Sequence, residues 1–195
     1  MHQHFLNKKR AKMKKKLAAE LDRPTREEYV EISKLPVVVV LDNVRSMNNV
    51  GSFFRTCEAF TIEELILCGI TGTPPNAEIH KTALGAEETV KWRHFESTRD
   101  AVQELAEQGY TPVAVEQVDG STMLYDFVLD KTKKYALIFG NEVNGVEQSI
   151  VDISHRSIEI PQAGTKHSLN VAVTGGIVLW HFFSNPWVGG QLIEE

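Results

Sequence analysis

Short runs of β-branched and aliphatic residues alternate along the chain with segments whose apolar positions recur every three or four residues. Pro36–Leu41 (PVVVVL) has no polar position at all. Such a run predicts a strand buried on both faces of a parallel sheet, where neither face is free to carry polar side chains. Glu64–Cys68 (ELILC), Thr111–Val115, Tyr135–Phe139 (YALIF) and Ser157–Ile160 read as further strands, and Val90–Trp92 as a short one. The intervening segments carry helix signals. Asn48 or Asn49 is placed to cap a helix to about Phe60, with Val50, Phe53, Phe54 and Cys57 on one face. Lys81–Glu87 predicts a short helix, and Ser97 caps another to about Gln108, closed by Gly109. A helix from Val146 to about Ile153 follows the turn Gly140–Gly145, and Ser168 is the expected N-cap of a last helix reaching Phe183. On that helix Ala172, Gly175 and Gly176 would let another backbone approach closely. Gly69–Asn76 and Val118–Tyr125 are loops. Strands alternating with helices predict an α/β fold with a mainly parallel sheet and flanking helices. In such sheets ligands sit outside the carboxyl ends of the strands.

The N-terminal region follows a different pattern. Residues 8–21 predict a helix with Met13, Leu17, Ala18 and Leu21 at helical spacing. After a break at Asp22–Thr25, Thr25-Arg-Glu-Glu28 fits a capping box for a second short helix through Ile32. The 195 residues are 42% hydrophobic and 24% charged, which suits one domain with a real core. The expected organisation is a basic helical extension over 1–35, an α/β domain over 36–188 and a short tail over 189–195. Net charge is −5 but uneven. Seven of the 21 Lys and Arg lie in residues 1–16, where there is no Asp or Glu; the other 14 stand against all 26 acids. An acidic body excludes a general nucleic-acid binder, whereas the arm Lys8, Lys9, Arg10, Lys12, Lys14, Lys15 and Lys16 is a candidate phosphate contact. The alternative for the arm is a solvated face. No stretch is long and apolar enough to span a bilayer or resemble a secretory signal. Cys57 and Cys68 lack metal or redox spacing, so two buried reduced thiols and a cytoplasmic location are expected.

Chemistry-bearing residues gather at three strand ends. Asn48-Asn-Val-Gly-Ser-Phe-Phe-Arg-Thr56 follows the first strand, Ile138-Phe-Gly-Asn-Glu-Val-Asn-Gly-Val146 leaves a central one, and IPQAGTKHSLNVAVTGGI spans Ile160–Ile177. In that order and at that spacing they resemble the three signature motifs of the SpoU/TrmH family of RNA ribose 2′-O-methyltransferases. The likeness runs from about Val37 to Phe183. It implies a SPOUT-type fold with a deep C-terminal trefoil knot, a homodimer whose site forms where the knotted regions meet, and S-adenosylmethionine as methyl donor. The N-terminal extension is then RNA-facing.

The resemblance also assigns residues. Arg55 stands where the family has an arginine essential to catalysis. Guanidinium is a poor base, because it stays protonated, and its planar fork suits a phosphate. The expected role is therefore to hold the phosphate beside the target ribose; the alternative is a surface pair with Glu58. Asn49, Glu142, Ser168 and Asn170 complete the expected catalytic set, with Glu142 orienting Arg55 or nearby loops, and Asn170 holding the second-motif loop. Val115, Glu116, Gly140, Ile160 and Leu169 are the expected cofactor walls, since the family binds adenine mostly through backbone. His80 and His167 sit in no ligand pattern, so no metal is assigned.

IPQ-x-G-x-x-x-SLNV is similar to the branch of the family that methylates a guanosine in the tRNA D-loop, so tRNA is the expected substrate. The alternatives are ribosomal RNA, or an inactive RNA-binding protein of the same fold. A generic nucleotide-binding domain is disfavoured, because the fingerprints GxGxxG and GxxxxGK[ST] are absent.

Overall fold

The computed structural model describes residues 13–17 and 20–185. The chain divides into two compact units, Met1–Glu31 and Ile32–Glu195. In the first, helix α1 (Arg26–Glu31) opens with the expected capping box. The Glu28 amide donates to Thr25 Oγ1 at 3.2 Å, and the Thr25 amide donates to Glu28 Oε2 at 2.8 Å. The helix expected over 8–21 is not present where it can be seen. Residues 13–17 are exposed and carry no regular structure, as suits three consecutive lysines flanked by Met13 and Leu17, which stay exposed with nothing to pack against. Lys8, Lys9, Arg10 and Lys12 lie outside the described residues.

The second unit is built on seven strands: β1 (Leu35–Asp42), β2 (Ile62–Cys68), β3 (Trp92–Phe95), β4 (Tyr110–Val115), β5 (Thr122–Met123), β6 (Lys134–Phe139) and β7 (Arg156–Glu159). They pair in the order β3-β2-β1-β6-β4-β7-β5, and every pairing is parallel. The PVVVVL run is β1, near the middle of the sheet. Alternate side chains face opposite ways, so Val37, Val39 and Leu41 enter one core while Val38 and Val40 enter the other. Residues of α2 (Met47–Ala59), α3 (Ala77–Ala83) and α6 (Val171–Ser184) fill the first core, and residues of α4 (Thr98–Glu107) and α5 (Gln148–Val151) the second. Both cysteines are free and buried, and burial pushes the Cys68 thiol up to about 12.

Five expected elements are displaced, each for a local reason. Helix α2 is capped by Ser46, whose side chain accepts from the Asn49 amide, and not by Asn48 or Asn49. The short helix expected at Lys81–Glu87 starts earlier, because Asn76 Oδ1 accepts from the amides of Glu78 and Ile79. It stops at Leu84, which takes a left-handed φ of 55°, and a separate 3-10 turn covers Ala86–Glu88. Edge strand β3 lies two residues beyond Val90–Trp92, in register from Leu65↔Trp92 to Cys68↔Phe95. Helix α5 is shorter than Val146–Ile153, since Val146 and Glu147 give their amides to carboxylates instead. The last helix begins at Val171 with Asn170 as its cap, Oδ1 accepting from Ala172 and Val173; Ser168 lies outside it. A Cβ at Gly175 would overlap the Phe53 ring, so the missing side chain seats α6 on α2, while Gly176 faces open space.

Candidate functional site

A cavity of about 530 Å³ lies at the carboxyl ends of β4, β6 and β7, a size suited to a small-molecule ligand. Its floor is the end of β4 (Val115, Glu116), the end of β6 (Phe139) and Ile158 of β7. One wall is the turn Gly140–Gly145, and the other is Ile160 with Ser168–Val171. All five residues expected to surround the cofactor, Val115, Glu116, Gly140, Ile160 and Leu169, line this cavity. The lining carries Glu116, Glu142 and Glu159 and no Lys or Arg. A pocket with three carboxylates and no fixed cation favours a positively charged ligand.

The turn Gly140–Gly145 is braced from within. Asn141 and Gly145 exchange both backbone hydrogen bonds, at 3.1 and 3.0 Å. Asn141 Oδ1 also accepts from the amides of Val143 and Asn144. Gly140 is required here for space: a Cβ would overlap the backbone of Gly145 and Val146. Glu142, at the tip, is fixed from another part of the chain. Its carboxylate accepts from the amides of Arg45 and Ser46, both at 3.1 Å, and from Asn49 Nδ2 at 2.8 Å. Burial by itself would raise the Glu142 carboxyl, but these donors outweigh it and hold the group below the usual carboxylate value.

Asn49 carries the chain of contacts onward. Its Oδ1 accepts from Asn170 Nδ2 at 3.1 Å. Glu142, Asn49 and Asn170 therefore link the second, first and third sequence clusters through side-chain hydrogen bonds, and Asn170 caps α6 at the same time. The three clusters that sequence spacing singled out are one place in the fold.

Two expected site residues stand apart from this network. Ser168 lines the cavity but is exposed and makes no hydrogen bond among the described residues. Arg55 does not line the cavity. It is exposed on the outer face of α2 with Asn48 and Ala59, and makes no ion pair among the described residues. Glu142 does not orient Arg55, being fully engaged with Arg45, Ser46 and Asn49. Nor does Glu58 pair with Arg55; it accepts from Thr89 Oγ1 at 3.2 Å. Lys14, Lys15 and Lys16 are exposed.

Sequence reasoning missed three contributors. Asn141 braces the turn, Gln117 Nε2 donates to the His167 carbonyl at 3.0 Å, and Asp42 holds Glu147 from behind. For Asp42 a signal existed: it is the first polar residue after a strand buried on both faces. His80 pairs with Glu87 at 2.5 Å, away from the cavity. Among the described residues no cluster of three or more His, Cys, Asp or Glu is arranged for a metal, and no helix is long and apolar enough to cross a membrane.

Comparison with known proteins bears on what this arrangement serves. The sequence model of the SpoU rRNA methylase family matches residues 36–180. A tRNA (guanosine(18)-2′-O)-methyltransferase of Aquifex aeolicus is 32% identical over 156 residues, covering 78% of this chain and 71% of the relative. The 23S rRNA (guanosine-2′-O-)-methyltransferase RlmB of Neisseria meningitidis is 29% identical over 148 residues, covering 76% of this chain and 58% of the relative. A crystal structure of an AdoMet-bound rRNA methyltransferase from Sinorhizobium meliloti is similar with a TM-score of 0.70 and 28% identity, over 79% of this chain and 59% of that one.

Proposed function

The chain belongs to the SpoU rRNA methylase family, and on that footing we propose that it transfers a methyl group from S-adenosylmethionine to a ribose 2′-hydroxyl of RNA, with tRNA as the substrate. The observation that carries this reading is the meeting of all three family motifs at one acidic cavity through Glu142, Asn49 and Asn170. S-adenosylmethionine carries a sulfonium and an amine, and a cavity lined by Glu116, Glu142 and Glu159 suits that charge. Val115, Ile160 and Leu169 would wall the adenosyl group, with Gly140 allowing backbone to come close. The relatives named above include enzymes acting on tRNA and on rRNA; the tRNA reading rests on the third motif.

When bound, S-adenosylmethionine supplies an activated methyl group, and its sulfur leaves as a neutral thioether. The protein's part is to place the ribose oxygen in line behind that methyl, where most of the rate arises from positioning, while the hydroxyl proton passes to a neighbouring acceptor or to water. Arg55 would hold the neighbouring phosphate by its planar fork. Ser168, exposed and unengaged at the cavity wall, would bind the acceptor hydroxyl or phosphate. Asn49, Glu142 and Asn170 would fix the relation of the three motifs.

Arg55 lies outside the cavity, so the cavity of a single chain lacks the side chain proposed to hold the acceptor's phosphate. A homodimer would complete the site. Its support is an apolar stripe on α6: Val173, Ile177 and Trp180 are exposed at helical spacing, and Trp180 packs only its flank against Phe60 and Phe183. A second copy of this chain is the occupant proposed for that stripe. The same reading assigns 1–35 as an RNA-facing extension, 36–188 as the methyltransferase domain with a C-terminal trefoil knot, 189–195 as a tail, and the cytoplasm as the location.

The test is transfer of labelled methyl from S-adenosylmethionine to unmodified tRNA and rRNA, followed by digestion to nucleosides. A 2′-O-methylated nucleoside from tRNA is expected. Label in rRNA alone would overturn the substrate, and label in neither would overturn the activity.

A further inference from the structure

The turn Gly140–Gly145 is braced from within, so its position is set where it is attached: at its tip through Glu142, and at its two ends. On one side it continues β6. On the other, two consecutive amides are held by two carboxylates, one just after β4 and one at the end of β1: Val146 N donates to Glu116 Oε2 at 2.8 Å, and Glu147 N donates to Asp42 Oδ2 at 3.1 Å. Glu116 faces the cavity. Asp42 does not line it and is 1% exposed at the end of β1. Its other oxygen, Oδ1, accepts from Thr98 Oγ1 at 2.6 Å and from Asn43 Nδ2 at 2.9 Å. Thr98 is itself buried, in the first turn of α4.

We infer that Asp42, held by Thr98, is a positioning residue that fixes the cofactor-facing turn from behind. The inference rests on the proposed reading of the cavity. A carboxylate in this place has all its close partners as donors, which is the arrangement that makes burial of the charge tolerable. Removing one donor or one acceptor leaves a buried group unsatisfied. The least disruptive relief is for the turn to shift, because among the described residues that bond the Asp42 carboxylate, Glu147 is exposed while Thr98 is buried and Asn43 half-buried. Asp42→Asn sets an amide N–H against either the Glu147 amide or the Asn43 side chain. Thr98→Val keeps shape and removes the hydroxyl, whereas Thr98→Ser keeps the hydroxyl.

The experiment is calorimetric titration of S-adenosylmethionine into the full chain and the three variants, alongside RNA affinity and thermal unfolding without ligand. Thr98→Val and Asp42→Asn are expected to weaken S-adenosylmethionine binding about tenfold, the scale of one lost hydrogen bond. RNA affinity should hold, and Thr98→Ser should bind within about twofold of the unaltered chain, since the hydrogen bond to Asp42 is retained. A purely structural role predicts lowered unfolding temperatures with S-adenosylmethionine affinity unchanged, and that result would overturn the inference. Equal weakening by Thr98→Ser and Thr98→Val would also overturn it. Failure of the unaltered chain to bind S-adenosylmethionine would instead remove the reading of the cavity on which the inference stands.

Discussion

The cavity at the ends of β4, β6 and β7 and the outer face of α2 serve one proposed reaction, yet they are built in opposite ways. The cavity is framed by engaged groups: Glu142 takes three donors, Glu116 two, and Asn141 closes its own turn. On α2 the exposed Arg55 makes no ion pair among the described residues, and the neighbouring stripe of α6 shows Trp180 at 55% exposure. A pre-formed cavity loses little entropy when a small ligand enters. An open face with an unengaged guanidinium can adapt to a large polyanion and a second chain. On the proposed reading, the difference teaches that the methyl-donor side is built within one chain, while the acceptor side is completed by partners.

That division predicts separable losses. The largest should follow Gly140→Ala, whose Cβ overlaps the backbone of Gly145 and Val146. We expect S-adenosylmethionine binding to disappear in calorimetry, with about 1–3 kcal/mol lost in denaturant unfolding from the forced shift. Normal binding by this variant would mean the turn is not rigid. Next is Arg55→Ala, expected to slow methyl transfer by about 10²-fold or more with S-adenosylmethionine affinity intact. If affinity fell in step with rate, the two regions would not be independent. Arg55→Lys should recover only part of the rate, lacking the bidentate fork. Trp180→Lys should shift the chain toward monomer in sedimentation and reduce transfer while sparing the fold. Deletion of residues 1–16 should weaken RNA binding modestly and flatten its salt dependence; equal binding at low salt would dismiss the arm.

The smallest effect concerns pH. The folded Glu142 carboxyl lies below its ordinary value of about 4.3. Its contribution to stability is thus complete above that value and is lost as pH falls through the folded one. The unfolding temperature of the unaltered chain should exceed that of Glu142→Gln near neutrality, and the gap should close under acid. A constant gap would show that the carboxylate charge is not what the three donors recognise.

How much of this was legible beforehand depended on how many residues could play each part. Strands buried on both faces leave no choice of residue type, so β1, β4 and β6 were readable to within a residue. Caps were readable only where one candidate stood alone. Ser97 had no rival and caps α4, while Ser46 won over Asn48 and Asn49, and Asn170 over Ser168. In both misplaced cases Asn was needed elsewhere or fitted better: Asn49 reaches Glu142, and Asn170 serves the cap and Asn49 together. Strand β5 has two residues, too few to show any alternation. The five residues expected as cofactor walls do line one cavity, because they follow from strand ends. Asp42 and Gln117 were not foreseen, since their value lies in partners 105 and 50 residues away.

Those separations have a meaning during synthesis as well. Val37 pairs with Tyr135 across the middle of the sheet, so β1 emerges from the ribosome long before its neighbour on that side exists. Until then an aliphatic strand has one edge unpaired, the condition in which chains most readily stick to one another. Closing so long a loop is entropically slow. The cavity proposed for the methyl donor, made from pieces of β4, β6, β7 and the start of α6, accordingly cannot form until the segment through Thr174 has been translated.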